Sequence, residues 1–197
     1  MGYIQIAGLL IVLLFYASYF GKLLLQKRQG INTDRMGRGI KPKRTFIIEI
    51  ILKVTTYLMA LVQVISITIN NKWYMLITNI DFRYTGIGIA LLGVIIFITA
   101  MSTMRNSWRA GVDSSQKTKL IKHGIYKFSR NPAFLGFDLF YIGLTMAFFN
   151  PLQLVFLGFS ICILHLQIME EEKFLPSIFG VEYTNYKKST GRYFMFI

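Results

Sequence analysis

Three consecutive carboxylates, Glu170, Glu171 and Glu172, stand where a long apolar run ends, and they are three of only nine acidic residues in the chain. Negative charge at the C-terminal end of a helix opposes the helix dipole, so dipole complementarity does not account for them. Either they form a solvated helix end neutralised by Lys173 and the basic loops, or one of them accepts hydrogen bonds from a ribose diol or offsets a cationic ligand. Upstream, the stretch from Gly124 through Tyr126, Arg130, Asn131 and Pro132 to Gly136 combines a turn glycine, a fixed cation and a helix start. A helix N-terminus presents unpaired backbone N–H groups, and the planar fork of Arg130 beside it suits a carboxylate. The structural alternative is a basic interface residue beside a capped helix.

The elements that must position these residues are very apolar: 54% of the chain is hydrophobic and 16% charged, far from the ordinary soluble mixture. The reading is an all-α integral membrane protein, because a bilayer core about 30 Å thick needs roughly 20 apolar residues per spanning helix. Five spans are expected at Tyr3 to Leu25, Phe46 to Ile69, Tyr84 to Met104, Ala133 to Phe149 and Leu152 to Met169. The last two are short. Residues 1–104 hold three spans and a basic loop, and residues 105–197 form the second region, which carries the chemistry. The first span has no basic segment before it and is read as an anchor, not a cleavable signal.

The net charge of +13 records topology, not nucleic-acid binding, because no recognition motif accompanies it. Arg28, Arg35, Arg38, Lys41 and their neighbours follow span one; Arg105, Arg109, Lys117, Lys122 and Arg130 precede span four. These loops are expected to be cytoplasmic, with the N-terminus outside and the C-terminus inside, and the expected location is a cell inner membrane. The opposite loops, the Asn70 to Arg83 segment with Lys72, and Asn150-Pro151, carry little positive charge. Gly37 and Gly39 mark a loop, and no internal repeat divides the chain.

Asn131-Pro132 and Asn150-Pro151 each suit an N-cap followed by proline at the first helical position. With so little chain between Phe149 and Leu152, spans four and five form a tight antiparallel hairpin that returns Glu170 to Glu172 to the side of Arg130. The lone Cys162 allows no internal disulfide or cysteine cluster, and is read as packing. Glu49 and Lys53 have the spacing of a helical ion pair. His165, at membrane depth, either faces a pocket or hydrogen-bonds within the bundle, the latter being favoured, while Asp138 supports a pocket or binds a neighbouring helix. Tyr183, Tyr186 and Phe194 cover a ligand or lie in the membrane interface.

The order Gly-Ile-Tyr, Ser-Arg-Asn-Pro, Glu-Glu-x-x-Leu and Phe-Gly-x-x-Tyr-x-x-Tyr, here ending in Leu175, Phe179, Gly180, Tyr183 and Tyr186, resembles the isoprenylcysteine carboxyl methyltransferases and their bacterial relatives. The resemblance runs from about Trp108 to Arg192. Trp108-Arg109-Ala110-Gly111 resembles a segment preceding the catalytic half, and no chemistry is assigned to it. Asn131 stands where the eukaryotic enzymes typically have histidine, and Phe134 where many have tyrosine.

What the resemblance implies is a helical-bundle methyltransferase holding S-adenosylmethionine between the last two spans and the C-terminal segment, with no metal. His123, Gly124, Tyr126, Arg130, Pro132, Glu171 and Glu172 would line the cofactor pocket. Arg130 and Glu171 would carry catalysis, the first orienting an acceptor carboxylate and the second fixing the donor. The acceptor would be apolar or lipid-like and reach the site from the membrane lipids. The alternatives are phospholipid N-methylation, a non-catalytic membrane binding protein on the same scaffold, and a reductase related to the sterol reductases.

Overall fold

The computed structural model describes residues 2–69, 76–111 and 118–194. Lys72 and Lys117 lie outside these residues. Five helices follow in chain order: α1 (Tyr3–Arg28), α2 (Lys43–Thr68), α3 (Ile80–Met104), α4 (Pro132–Ala147) and α5 (Pro151–Ser189). No strand forms among the described residues, and a single bridge pairs Asp34 with Ala110. The expected order of five apolar helices is therefore present, and α1, α2, α3 and α5 are each long and apolar enough to cross a membrane. Helix α4 has 16 residues and reaches about 24 Å, short of the bilayer core, and it is largely enclosed by its neighbours. Leu10, Leu13, Leu61, Ile95 and Val155 point outward from the bundle, as side chains facing lipid should.

Glycine governs the tightest helix pair. A Cβ on Gly143 would lie 2.3 Å from the backbone nitrogen of Ala90, and one on Gly93 would lie 2.5 Å from that of Phe140. Gly86 and Gly136 are equally confined by the opposite backbone. Small residues at such a seam let helices approach to backbone contact, which is how helices gain packing energy in lipid. Beside the seam, Phe15 of α1 stacks on Phe140 of α4 at 4.0 Å and on Phe97 of α3 at 4.6 Å between ring centroids. Phe137 meets Phe15 edge-on, so the aromatic core ends in a ring that faces the basic end of the bundle.

The two Asn-Pro pairs behave differently. Asn150 accepts from the Gln153 amide at 2.9 Å and begins α5 as expected. Asn131 occupies the cap position of α4 without capping it; its amide is drawn away to Glu172 and the carbonyl of Arg192. The proposed Glu49–Lys53 pair does not form. Glu49 instead binds Lys41 at 2.6 Å and Lys53 binds Asp34 at 2.6 Å, because the loop after α1 folds back over α2 and brings nearer partners. Cys162 is exposed on the side of α5, not packed.

Helix α5 runs past Met169, the end of its apolar run, to a break at Gly180, whose backbone (φ +55°, ψ −130°) is non-helical. Residues with a Cβ rarely adopt this conformation, and the break redirects residues 181–189 back towards the bundle.

Gly143→Leu should abolish a stable fold or lower the melting temperature of the detergent-solubilised protein sharply, since overpacking costs about 1–3 kcal/mol or more. Gly88→Leu on the outer side of α3, where an added Cβ meets nothing within 4 Å, should melt like the parent. Equal melting of the two variants would remove the seam as a determinant.

Candidate functional site

Successive residues on a helix project about 100° apart, and this separates the three glutamates. Glu170 accepts from Thr45 of α2 at 2.7 Å and pairs with Arg44 and Lys173. Burial would raise its carboxyl, but the Thr45 and Lys173 hydrogen bonds prevail and hold it below the ordinary range. Glu172 faces the other way, towards Arg130 at 2.8 Å, Arg192 at 2.9 Å and the Asn131 amide. Here too burial is outweighed by the Arg192 and Arg130 hydrogen bonds, and the carboxyl is held down. Glu171, between them, faces a cavity.

That cavity has a volume of about 220 Å³ and lies at the basic end of the bundle. A second one, about 40 Å³ between α1, α2 and α4, has room for only a few waters. The larger cavity has a polar wall of Glu171, Gln167, Tyr126, Tyr183 and Tyr186, and an apolar floor of Leu52, Phe137 and Leu164. Trp108, Arg109, Ala110 and Gly111 form its roof with Met36 of the first basic loop. The roof is held by Arg35 N–H to the Ala110 carbonyl (2.8 Å), Ala110 N–H to the Thr33 carbonyl (3.0 Å) and the buried Gln26 amide, which reaches the Arg105 carbonyl.

Gly180 explains the Phe-Gly-x-x-Tyr-x-x-Tyr pattern. The chain turns there, and Tyr183 and Tyr186, one helical turn apart, both reach the cavity wall. The Tyr186 hydroxyl donates to the Tyr126 carbonyl at 2.6 Å. Burial, then the charges of Tyr186 and Glu171, raise the Tyr126 phenol far above its usual range, so it remains neutral.

Arg130 holds this wall in place. Its guanidinium donates to Glu172 through Nε and Nη2, and to the carbonyls of Lys187 and Thr190 through Nη1. Five N–H groups are available, so at most one is left for a ligand. Its backbone amide binds the Gly191 carbonyl at 3.0 Å. Arg130 thus borders the cavity mainly as a strut, and the anion-binding part expected of it falls to what remains of its field.

Of the other expected site residues, Tyr126 and Glu171 line the cavity, whereas His123, Gly124, Pro132 and Glu172 do not. His123 is exposed at the start of a 3-10 turn (Gly124–Lys127), and Gly124 has the positive φ that this turn requires. His165 is outside the cavity and hydrogen-bonds the Tyr193 hydroxyl at 2.7 Å. Asp138 does not line it either. The roof residues Trp108 to Gly111 line the site although no chemistry was read from them; the clustered tryptophan, arginine and small residues were the available signal.

Enclosure raises Glu171 to about 7, with Glu49 and Glu172 adding to the rise and the Gln167 hydrogen bond and Lys41 opposing it. Three buried polar atoms on the walls, Trp108 Nε1, Gln167 Oε1 and the Tyr183 hydroxyl, have no hydrogen-bond partner among the described residues. Buried polar groups are rarely left unmade. An unmade donor, an unmade acceptor, an unpartnered hydroxyl, a carboxylate and aromatic rings are together suited to a polar cationic ligand.

Fold and site define an α-helical membrane protein with a ligand cavity at one end, part polar and part apolar. Residues 86–177, from α3 into α5, match the isoprenylcysteine carboxyl methyltransferase (ICMT) family. The chain is 34% identical over 106 residues to a protein-S-isoprenylcysteine O-methyltransferase of Saccharomyces cerevisiae, covering 52% of this chain and 44% of that one. It is 31% identical over 108 residues to a probable protein-S-isoprenylcysteine O-methyltransferase of Oryza sativa subsp. indica, covering 52% and 56%. The chain thus spans about half the length of these relatives. The solved structure of a eukaryotic intramembrane Ras methyltransferase, ICMT, superposes with a TM-score of 0.55 at 22% identity, covering 80% of this chain and 55% of that one. The likeness is one of fold.

Glu172→Gln should loosen the C-terminal segment, because breaking a buried ion pair costs about 3–5 kcal/mol. Hydrogen exchange over residues 186–194 should accelerate while α3 and α4 stay protected. Unchanged exchange would show that the segment is held by other contacts.

Proposed function

We propose that the protein is an S-adenosylmethionine-dependent membrane methyltransferase that methylates the carboxylate of an apolar or lipid-like acceptor. The observation that carries this reading is one continuous cavity, with Glu171 and aromatic rings at its basic end and Leu52, Phe137 and Leu164 at its inner end. Such a space suits two unlike reactants, one polar and cationic, the other apolar. The chain's match to the family supports it, and the basic loops support a cytoplasmic C-terminus and site.

The residues fit the cofactor. Glu171 would offset its positive charge, the rings of Tyr126, Trp108 and Tyr183 would surround it by cation–π attraction, and Gln167 Oε1 and Trp108 Nε1 would gain the partners they lack. When bound, S-adenosylmethionine supplies an electrophilic methyl group. A carboxylate acceptor is already nucleophilic, so the protein's task is alignment and exclusion of water. Arg130, Arg109 and Lys119, which border the cavity, provide the field that holds an anionic acceptor. Arg130 also fixes the tyrosine wall through Glu172.

A second reading is favoured by one feature. An ammonium acceptor must give up a proton before its nitrogen can attack, whereas a carboxylate need not, and the raised Glu171 would accept that proton near neutral pH. A phospholipid head-group amine is therefore the alternative acceptor.

Calorimetry with S-adenosylmethionine on purified protein should show saturable binding, weakened about tenfold or more (about 1.4 kcal/mol) by Glu171→Gln and reduced by Arg130→Ala. With Glu171 raised to about 7, the carboxylate form required by a cationic ligand is depleted below that pH. Affinity should then rise between pH 6 and 8 in the parent and stay flat in Glu171→Gln. No binding by folded protein, or binding indifferent to Glu171, would sink the reading.

A further inference from the structure

Helices α2 and α5 run antiparallel, tied at one end by Asn150 to Ser66 (2.9 Å) and at the other by Thr45 to Glu170 (2.7 Å). This register sets Glu49, one turn after Thr45, against the turn of α5 that carries Gln167, whose amide donates to Glu171 at 3.0 Å. Glu49 is fully buried and lies outside the residues matched by the family. A buried carboxylate must be paired, and Glu49 is: its Oε2 accepts from Lys41 Nζ at 2.6 Å and from the Gly37 amide at 2.8 Å. Lys41, also buried, donates on to the Arg35 carbonyl at 3.0 Å.

The same carboxylate touches the cavity roof from behind. Gly111 has φ +93°, and a Cβ there would lie 3.0 Å from Glu49 Oε1 and 2.8 Å from the Met36 amide. Met36 and Gly111 both line the cavity. One side chain of α2 therefore fixes the first basic loop and abuts the segment bridged to it.

We infer that Glu49, neutralised by Lys41, is a positioning residue that seats Met36 and Gly111 over the cavity and so sets affinity for the cationic donor. The inference rests on the cavity being the donor site. The charged and titratable groups around Glu171 are Glu49 and Lys41 from the N-terminal half, Glu172 on its own helix, and Tyr126 and Tyr183 on the opposite wall with Arg130 beside Tyr183.

The test is S-adenosylmethionine calorimetry from pH 5.5 to 8.5 on the full chain and on Glu49→Gln, Lys41→Met, Gly111→Ala and the Glu49→Gln/Lys41→Met double variant, with melting temperatures alongside. Gly111→Ala should weaken binding about tenfold by displacing the roof. Removing the Glu49 charge should move the acid limb of the affinity profile to lower pH, and removing the Lys41 charge should move it to higher pH. The double variant, with no unpaired buried charge, keeps the comparison in folded protein if a single variant fails; its limb should return near the parent's while affinity stays reduced. Failure of the parent to bind would reject the donor site itself. A parent that binds, with roof and double variants of parental affinity, would overturn the role of Glu49.

Discussion

A carboxylate that leaves water has to find enough positive charge and hydrogen bonds to replace it, and the basic end of this protein is arranged around that requirement at Glu172. Its partners come from three separate places in the chain: Arg130 and Asn131 before α4, Lys187 late in α5, and Arg192 beyond it. Satisfying this one group brings the start of α4 and the end of the chain together. The cavity lies inside the enclosure that results. The Tyr186 hydroxyl on the Tyr126 carbonyl and the Arg130 amide on the Gly191 carbonyl add to this closure and return Tyr183 and Tyr186 across the bundle after Gly180.

The membrane part supplies the rigidity against which that enclosure is built. Apolar side chains gain little by meeting each other in lipid, so close approach has to come from shape. The confined glycines of α3 and α4 give that approach, and the Phe15, Phe97 and Phe140 stack fills the space beside it. Helix α4 can be short because it is held along its length. Its N-terminus, and therefore Arg130, is placed by the glycine seam, while the Asn150 cap places α5 relative to it.

The helices and the hairpin were legible because apolar length, proline and asparagine act locally. The meeting of Arg130 with the glutamates was legible for the same reason: a tight turn between two apolar runs of similar length returns the end of the second to the start of the first. Which glutamate faces the cavity was not legible, since it depends on the rotation of α5 about its own axis, and that is fixed by distant partners such as Thr45 and Arg192. The Glu49–Lys53 pairing failed on the same ground. Spacing on one helix identifies a possible partner, but Lys41 and Asp34 arrive from a loop whose path only the tertiary fold decides. Asn131 has a cap's identity and position, yet a buried carboxylate is a stronger claimant for its amide than a helix end already relieved by proline.

Three adjacent carboxylates would be costly if all faced the same space, since each would raise the others and one would stay protonated. The helix avoids this by rotation: Glu170 and Glu172 are neutralised against α2 and against the C-terminal segment, and of the three only Glu171 has no cation in direct contact among the described residues. It follows that the two paired glutamates help define the third. They anchor α5 on both flanks, and the turn between them presents a single carboxylate, still ionisable near neutral pH, to a cavity where Gln167, Trp108 and Tyr183 carry unmade hydrogen bonds among the described residues. A ligand that brings positive charge would complete the pairing that the protein leaves unfinished at this one position.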